Sequence, residues 1–394
     1  MVKYQYIQTQ ANLFRFLDEI EKATWIAYDT EFISEGRYRP ELCLVQVATE
    51  FGNYLLDPLR IRDLRPFWER LCEESATAIA HSCRSELEFC YREIGRFPSR
   101  VFDVQLAAAF VGHDYPLNFK TLAAETIGVE IEKSETRTDW SRRPLLNAQL
   151  EYALDDVRYL KQIADLLTQE LESLGRVPWF LEETRSFCET LKASFNDDQW
   201  RKILGARVLS RDELAIVREL WTWRQEKALG KNIPPARVFR DDLILEVAKH
   251  KTADPSRVSA IRGIRGTSDS QLVKDLCEKI EVALNLPDSQ KPKMKARETY
   301  PQYSLAVQLI NVLIGQHCKR NRVSPRLAST TNDVRRAIAF YDGKLPEKET
   351  PRLFQGWRGE LLERYVRDFL DGRYAMKFSD DLEDAPVAIK KLLD

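Results

Sequence analysis

Residues 24–33, TWIAYDTEFI, begin with an unbroken apolar and β-branched run, the pattern of a strand covered on both faces. ELCLVQVATEFGNYLLD (41–57) predicts two further strands joined near Phe51-Gly52-Asn53, a hairpin signal. TAIAHS (77–82) predicts another short buried strand. SELEFCYREIG (85–95) then has helical spacing and stops at a glycine, and DVQLAAAFVG and NFKTLAAETIG repeat that form. Strands that lead into helices predict an α/β domain. Across 147–175, Leu150, Ala153, Leu154, Val157, Leu160, Ala164 and Leu167 recur at helical spacing and predict one long amphipathic helix.

The pattern changes after about residue 210, where no strand is expected. DELAIVRELWTWRQEKALGK is amphipathic, IPPARVF interrupts it, and DDLILEVAKH starts a new helix. PDSQKPKMKARETYP (287–301) is polar, basic and proline-containing, and reads as a linker. A second helical segment follows. NIPPAR (232–237) and NRVSPR (321–326) each follow one amphipathic helix and precede another, which suggests two related helical modules.

Composition narrows the class. At 394 residues and 44% hydrophobic, the chain has enough apolar surface for ordinary cores and is not a disordered protein. No window approaches ~18 uncharged apolar residues, and Asp18 and Glu19 interrupt the region a signal peptide would need, so a cytoplasmic protein with no membrane partner is expected. Seven scattered cysteines contain no CxxC pair, and four histidines contain no HExxH, so neither a disulfide framework nor a zinc site is indicated. A Walker A loop, a GxGxxG after a strand and a GxSxG elbow are also absent from the sequence. The chemistry is left to carboxylates. Charge is uneven: about −11 over residues 1–200, about +7 over 201–265 and about +3 beyond. An acidic half that gathers cations, joined to a basic segment, suits a nucleic-acid enzyme with a binding module; solvated helix faces would give the same sum.

Three groups of residues could carry chemistry. Asp29 and Glu31, two apart on a predicted strand, point to the same face. Two carboxylates on a buried strand repel each other unless cations compensate, and divalent metals prefer carboxylate oxygens. A solvated strand end is the alternative. Tyr152 and Asp156 are spaced i, i+4 on the long helix, so the tyrosine could orient a water beside its carboxylate, or both could line a solvated helix edge. His81-Ser-Cys-Arg-Ser-Glu86 runs from a strand end into a helix, where Glu86 either faces the same cleft or is a first-turn acid favoured by the helix dipole.

Together, D-T-E on a strand, H-x(4)-acid, then Y-x(3)-D resembles the DEDD exonucleases of the tyrosine subgroup, and ribonuclease D in particular. VQVAT, FDVQLAAAF, KSETRTDW and EYALDDVRYL are similar to that family. LWTWRQEKALGKNIPPARVFRDDLILEVA resembles its HRDC module, and SPRLAST and FQGWRGELL resemble its C-terminal module. The resemblance implies an α/β exonuclease domain, a ribonuclease H-like mixed sheet with flanking helices, over 1–200. It is followed by an HRDC module (207–286), the linker (287–301) and a second HRDC-like helical module with a C-terminal tail (302–394). It also implies a 3′-5′ exoribonuclease that trims RNA 3′ ends, tRNA precursors among them, as a monomer that also meets single-stranded DNA; the alternatives are a 3′-5′ exonuclease acting mainly on DNA and a catalytically weakened nucleic-acid-binding protein. Asp29 would bridge two divalent ions, Mg²⁺ or Mn²⁺. Glu31 and Asp156 would bind the ion beside the attacking water, Tyr152 would orient that water, and Glu86 would serve the second ion. The family has Asp at this last position. Lys133, Arg137 and Arg142 would contact backbone phosphates. With its own strands, core and carboxylates, the first half is expected to keep its fold when cut near residue 200.

Overall fold

The structure, a computed structural model, describes residues 3–131, 138–195, 197–264, 270–294, 300–378 and 387–392. The N-terminal part runs β1 (Gln5–Ile7), α1 (Gln10–Glu19), β2 (Trp25–Ile33), β3 (Glu41–Thr49), β4 (Gly52–Leu56), α2 (Arg65–Leu71), β5 (Thr77–Ala80), α3 (Arg84–Ile94), β6 (Val101–Asp103), α4 (Val104–Val111) and α5 (Phe119–Ile127). It continues with α6 (Asn147–Arg158), α7 (Leu160–Ser173) and α8 (Val177–Ala193). The strands form one mixed sheet in the order β1-β4-β3-β2-β5-β6. β1 lies parallel to β4, β3 antiparallel to β4, and β2, β5 and β6 run parallel to one another. The continuous apolar start of β2 follows from its central place, with Ile26, Ala27 and Tyr28 fully buried. The β3–β4 hairpin turns at Glu50-Phe51, with Thr49 opposite Gly52.

Each sheet face is covered differently. Tyr54 of β4 packs against Phe16 of α1 at 4.6 Å. Ala27, Ala48 and Ile79 lie on the other face, in one core with α4 and α7. The glycine stops act as read: Gly95 ends α3 and Gly128 ends α5 in the left-handed conformation. The expected single helix over 147–175 is instead two helices that meet at Tyr159. α6 packs on β4, whereas α7 packs on α4 and α5, so the axis changes between them.

Two compact units emerge. One comprises Met1–Glu31, Leu42–Leu191 and Tyr300–Asp394; the other comprises Phe32–Glu41 and Lys192–Thr299. The second unit is helical: α9 (Arg211–Lys231), the short α10 (Pro235–Val238), α11 (Asp241–His250), α12 (Pro255–Ser259) and α13 (Ser270–Leu284). Its core gathers Leu214, Leu220, Trp223, Ile244, Val247 and Ile280. Trp223 is therefore a core residue, and its indole Nε1 donates to Asp275. The start of the expected linker is folded onto this unit: Lys291 Nζ donates to Asp212 at 2.7 Å, and Arg211 donates to the carbonyls of Asp288 and Lys291.

The C-terminal part of the first unit has α14 (Ser304–Arg320), the short α15 (Pro325–Ala328), α16 (Thr331–Tyr341) and α17 (Gly356–Leu370). α10 and α15, each opening on a proline, occupy matching places in the two repeated motifs. Beyond them, β7 (Tyr374–Phe378) and β8 (Val387–Lys391) form an antiparallel pair where no strand was expected. They pair only with each other among the described residues, so no extended buried run announced them. This C-terminal part shares a core with the mixed sheet and its helices. Trp357 meets Phe110 edge-on at 4.8 Å. Arg358 forms a buried ion pair with Glu183 of α8 at 2.6 Å, and Ser324 N donates to the Ala109 carbonyl at 2.8 Å. The first 200 residues therefore do not close their core alone. No helix among the described residues is long and apolar enough to cross a membrane.

Candidate active site

β2 carries Asp29 and Glu31 on one face, and α6 brings Asp156 to them. One carboxylate oxygen from each of the three lies within 4.8 Å of the others, the arrangement of a cation site. All three side chains are partly exposed, so the cluster opens to solvent. The three charges nevertheless strain one another. Burial, then the charge of Asp156, holds the Asp29 carboxyl well above the usual carboxylate range. Burial, then Asp29, pushes Glu31 up to about 9. Burial, then Asp155, raises Asp156 to about 7. Hard oxygen donors with unpaid repulsion fit divalent cations, which supply the missing positive charge.

Glu86 enters from the first turn of α3. It is 5% exposed, its Oε1 accepts from Thr30 Oγ1 at 2.7 Å, and it is not among the three carboxylates that converge within 4.8 Å. Burial and the nearby Asp29 push its carboxyl up to about 8. Asp103 fixes the turn that aims α3: it accepts from Ser82 N at 2.9 Å and Cys83 N at 3.0 Å, while Ser82 takes a left-handed backbone. His81 is held inside, its Nε2 2.9 Å from the Leu117 carbonyl.

Tyr152 sits one turn before Asp156 and shares a side-chain hydrogen bond with it. Burial, with the charge of Asp156, raises the phenol further, so it stays protonated. Arg142 is exposed and paired with Asp139 at 3.1 Å. Lys133 and Arg137 lie outside the described residues. Sequence reasoning passed over Lys120 of α5, whose charge favours the ionised form of both Asp155 and Asp156. No motif pointed to it, because α5 meets α6 only in the folded chain.

Comparison with known proteins adds the family context. Residues 4–172 match the 3′-5′ exonuclease family and residues 213–280 the HRDC domain. The chain is 31% identical over 373 residues to ribonuclease D of Gluconacetobacter diazotrophicus, covering 93% of each chain. It is 30% identical to ribonuclease D of Escherichia coli, covering 94% of this chain and 99% of that one. The crystal structure of the latter, an exoribonuclease involved in structured RNA processing, superposes with a TM-score of 0.79 over 94% of this chain.

Proposed function

We infer that this chain, which belongs to the ribonuclease D family and is a 3′-5′ exoribonuclease, trims RNA 3′ ends, tRNA precursors among them, by two-ion phosphodiester hydrolysis that releases nucleoside monophosphates. The family depends on divalent metal ions. The observation that carries the two-ion reading is the convergence of Asp29, Glu31 and Asp156 within 4.8 Å, under a repulsion that divalent cations relieve at neutral pH. In this reading Asp29 would serve both ions, Glu31 and Asp156 would hold one, and Glu86 would serve the other from α3. Mg²⁺ or Mn²⁺ suits an all-oxygen donor set.

When bound, such ions neutralise the scissile phosphate and stabilise the attacking and leaving oxygens. The protein supplies the rest. The raised carboxyls release their protons as ions bind, so binding weakens at acid pH. Tyr152, protonated throughout the working range, holds the attacking water through its hydroxyl and sets its line of approach. The basic segment after residue 200 adds salt-dependent phosphate contacts, and the chain acts as a monomer.

The test is incubation of the purified chain with a 3′-tailed RNA and the matched DNA, in EDTA and with Mg²⁺ or Mn²⁺. Stepwise release of mononucleotides from RNA, only with a divalent ion, is the expected result. Equal or better digestion of the DNA would move the substrate assignment, and activity in EDTA would refute the ion requirement.

A further inference from the structure

Arg143 lies in the segment that leads into α6, and its guanidinium is spent entirely inside the protein. Nε donates to Asp57 Oδ2 at 2.6 Å and Nη2 to Asp57 Oδ1 at 2.8 Å, a bidentate pair. Nη2 also donates to the Cys43 carbonyl of β3 at 2.7 Å. Nη1 donates to the carbonyls of Trp140 at 2.7 Å and Arg142 at 2.9 Å. That uses all five N–H donors of an arginine, so none remains for an RNA phosphate. Asp57 is fully buried and further held by the Tyr6 hydroxyl at 2.9 Å. One side chain thus ties the sheet to the segment before the helix that bears Tyr152 and Asp156.

What that segment presents is Trp140. It is 4% exposed, and its ring lies 6.1 Å from the Tyr152 ring, centroid to centroid. The Trp140 carbonyl is one of the groups that Arg143 grips, so the guanidinium fixes the backbone on which this indole is mounted. A second tie comes from α6 itself: Gln149 Oε1 accepts from Leu146 N at 2.9 Å, and its Nε2 donates to Thr138 Oγ1 at 3.3 Å.

We propose that Arg143 is a positioning residue for catalysis: paired with Asp57, it holds Trp140 against the ring of Tyr152 and so aims the Tyr152 hydroxyl at the attacking water. This rests on the role given above to Tyr152. Lysine keeps the charge that compensates Asp57 but replaces a five-donor fork with a three-donor point charge, so it cannot hold carboxylate, strand and loop together. A displacement of about 1 Å at a positioning group is enough to cost up to ~100-fold in rate.

The experiment is a double-mutant cycle on the full chain, with single-turnover rates and KM on a 3′-tailed RNA: parent, Arg143→Lys, Tyr152→Phe and both together. Tyr152→Phe alone should slow the chemical step. Arg143→Lys should lower kcat about tenfold with KM within about twofold in the parent, and by less than about twofold in the Tyr152→Phe background. Equal losses in both backgrounds would overturn the proposal and leave Tyr152 in its role. An unchanged rate for Tyr152→Phe would instead remove the reading on which the proposal stands. If Arg143→Lys does not fold, Trp140→Leu, which leaves the Arg143–Asp57 pair intact, must give the same non-additive pattern; additive losses would overturn it equally.

Discussion

In the metal-free protein, Glu31→Gln should stabilise the fold at alkaline pH and leave it unchanged at acid pH. Burial and the charges of Asp29, Asp156 and Glu86 lift the Glu31 carboxyl from the ordinary 4.5 to about 9. The folded chain therefore binds this proton more tightly than the unfolded chain. The stability it contributes is present in full below about pH 4.5 and is lost as pH rises towards 9. Each pH unit is worth about 1.4 kcal/mol, so by about pH 8 the upper bound is ~5 kcal/mol. Glu31 is partly exposed and its neighbours take up part of the strain by staying protonated, which reduces the expected loss to ~1–3 kcal/mol. Glutamine has nearly the same shape and no charge, so it avoids the loss. At roughly 1–2 °C per kcal/mol for a chain of this size, the variant should melt about 1–6 °C above the parent at about pH 8 in EDTA, and level with it near pH 4.5. Mn²⁺ should reverse the order, because ligand binding stabilises the parent by mass action and the variant has lost a ligand. Thermal melts across this pH range, with EDTA and with Mn²⁺, make the comparison. A parent–variant gap in EDTA that does not change with pH would refute the reasoning.

Asp29→Asn should lose several orders of magnitude in rate with an unchanged circular dichroism spectrum; near-parental digestion of RNA in Mg²⁺ would remove it as a shared ligand. Tyr152→Phe should lower kcat roughly 10-fold to 1,000-fold with little change in KM, read by single-turnover kinetics. Glu86→Asp should keep or raise Mg²⁺-supported activity and Glu86→Gln lower it with either ion, whereas superimposable metal titrations would take Glu86 out of the site. Arg358→Ala removes the bidentate partner of buried Glu183, which keeps Arg352 and the Trp357 indole, and should cost about 1.5–3 kcal/mol in urea unfolding; a loss under about 1 kcal/mol would show the pair is dispensable. A chain ending near residue 200 uncovers Phe110 and Trp179 and should bind a hydrophobic dye and melt early; parental stability would refute the shared core.

The sequence by itself determined most of the first half's elements and the candidate carboxylates. The apolar run of β2, the hairpin before Leu56 and the glycine stops of α3 and α5 depend on local periodicity and backbone sterics, which are written residue by residue. Asp29 with Glu31, and Tyr152 with Asp156, could be paired in advance because strand and helix periods place them on common faces. Folding alone decided whether those two faces meet, and it brings Asp156 of α6 to the carboxylates of β2. Non-local packing also decided the rest. The helix over 147–175 breaks at Tyr159 because its halves pack on different neighbours. No local pattern marks Arg143, because Asp57 and Cys43, which surround it, lie far away in sequence. The C-terminal helices look like a separate module because their amphipathic pattern says only that a face is buried, not against what. Trp357 and Arg358 find Phe110 and Glu183 only in three dimensions, and that makes residues 300–370 part of the exonuclease core.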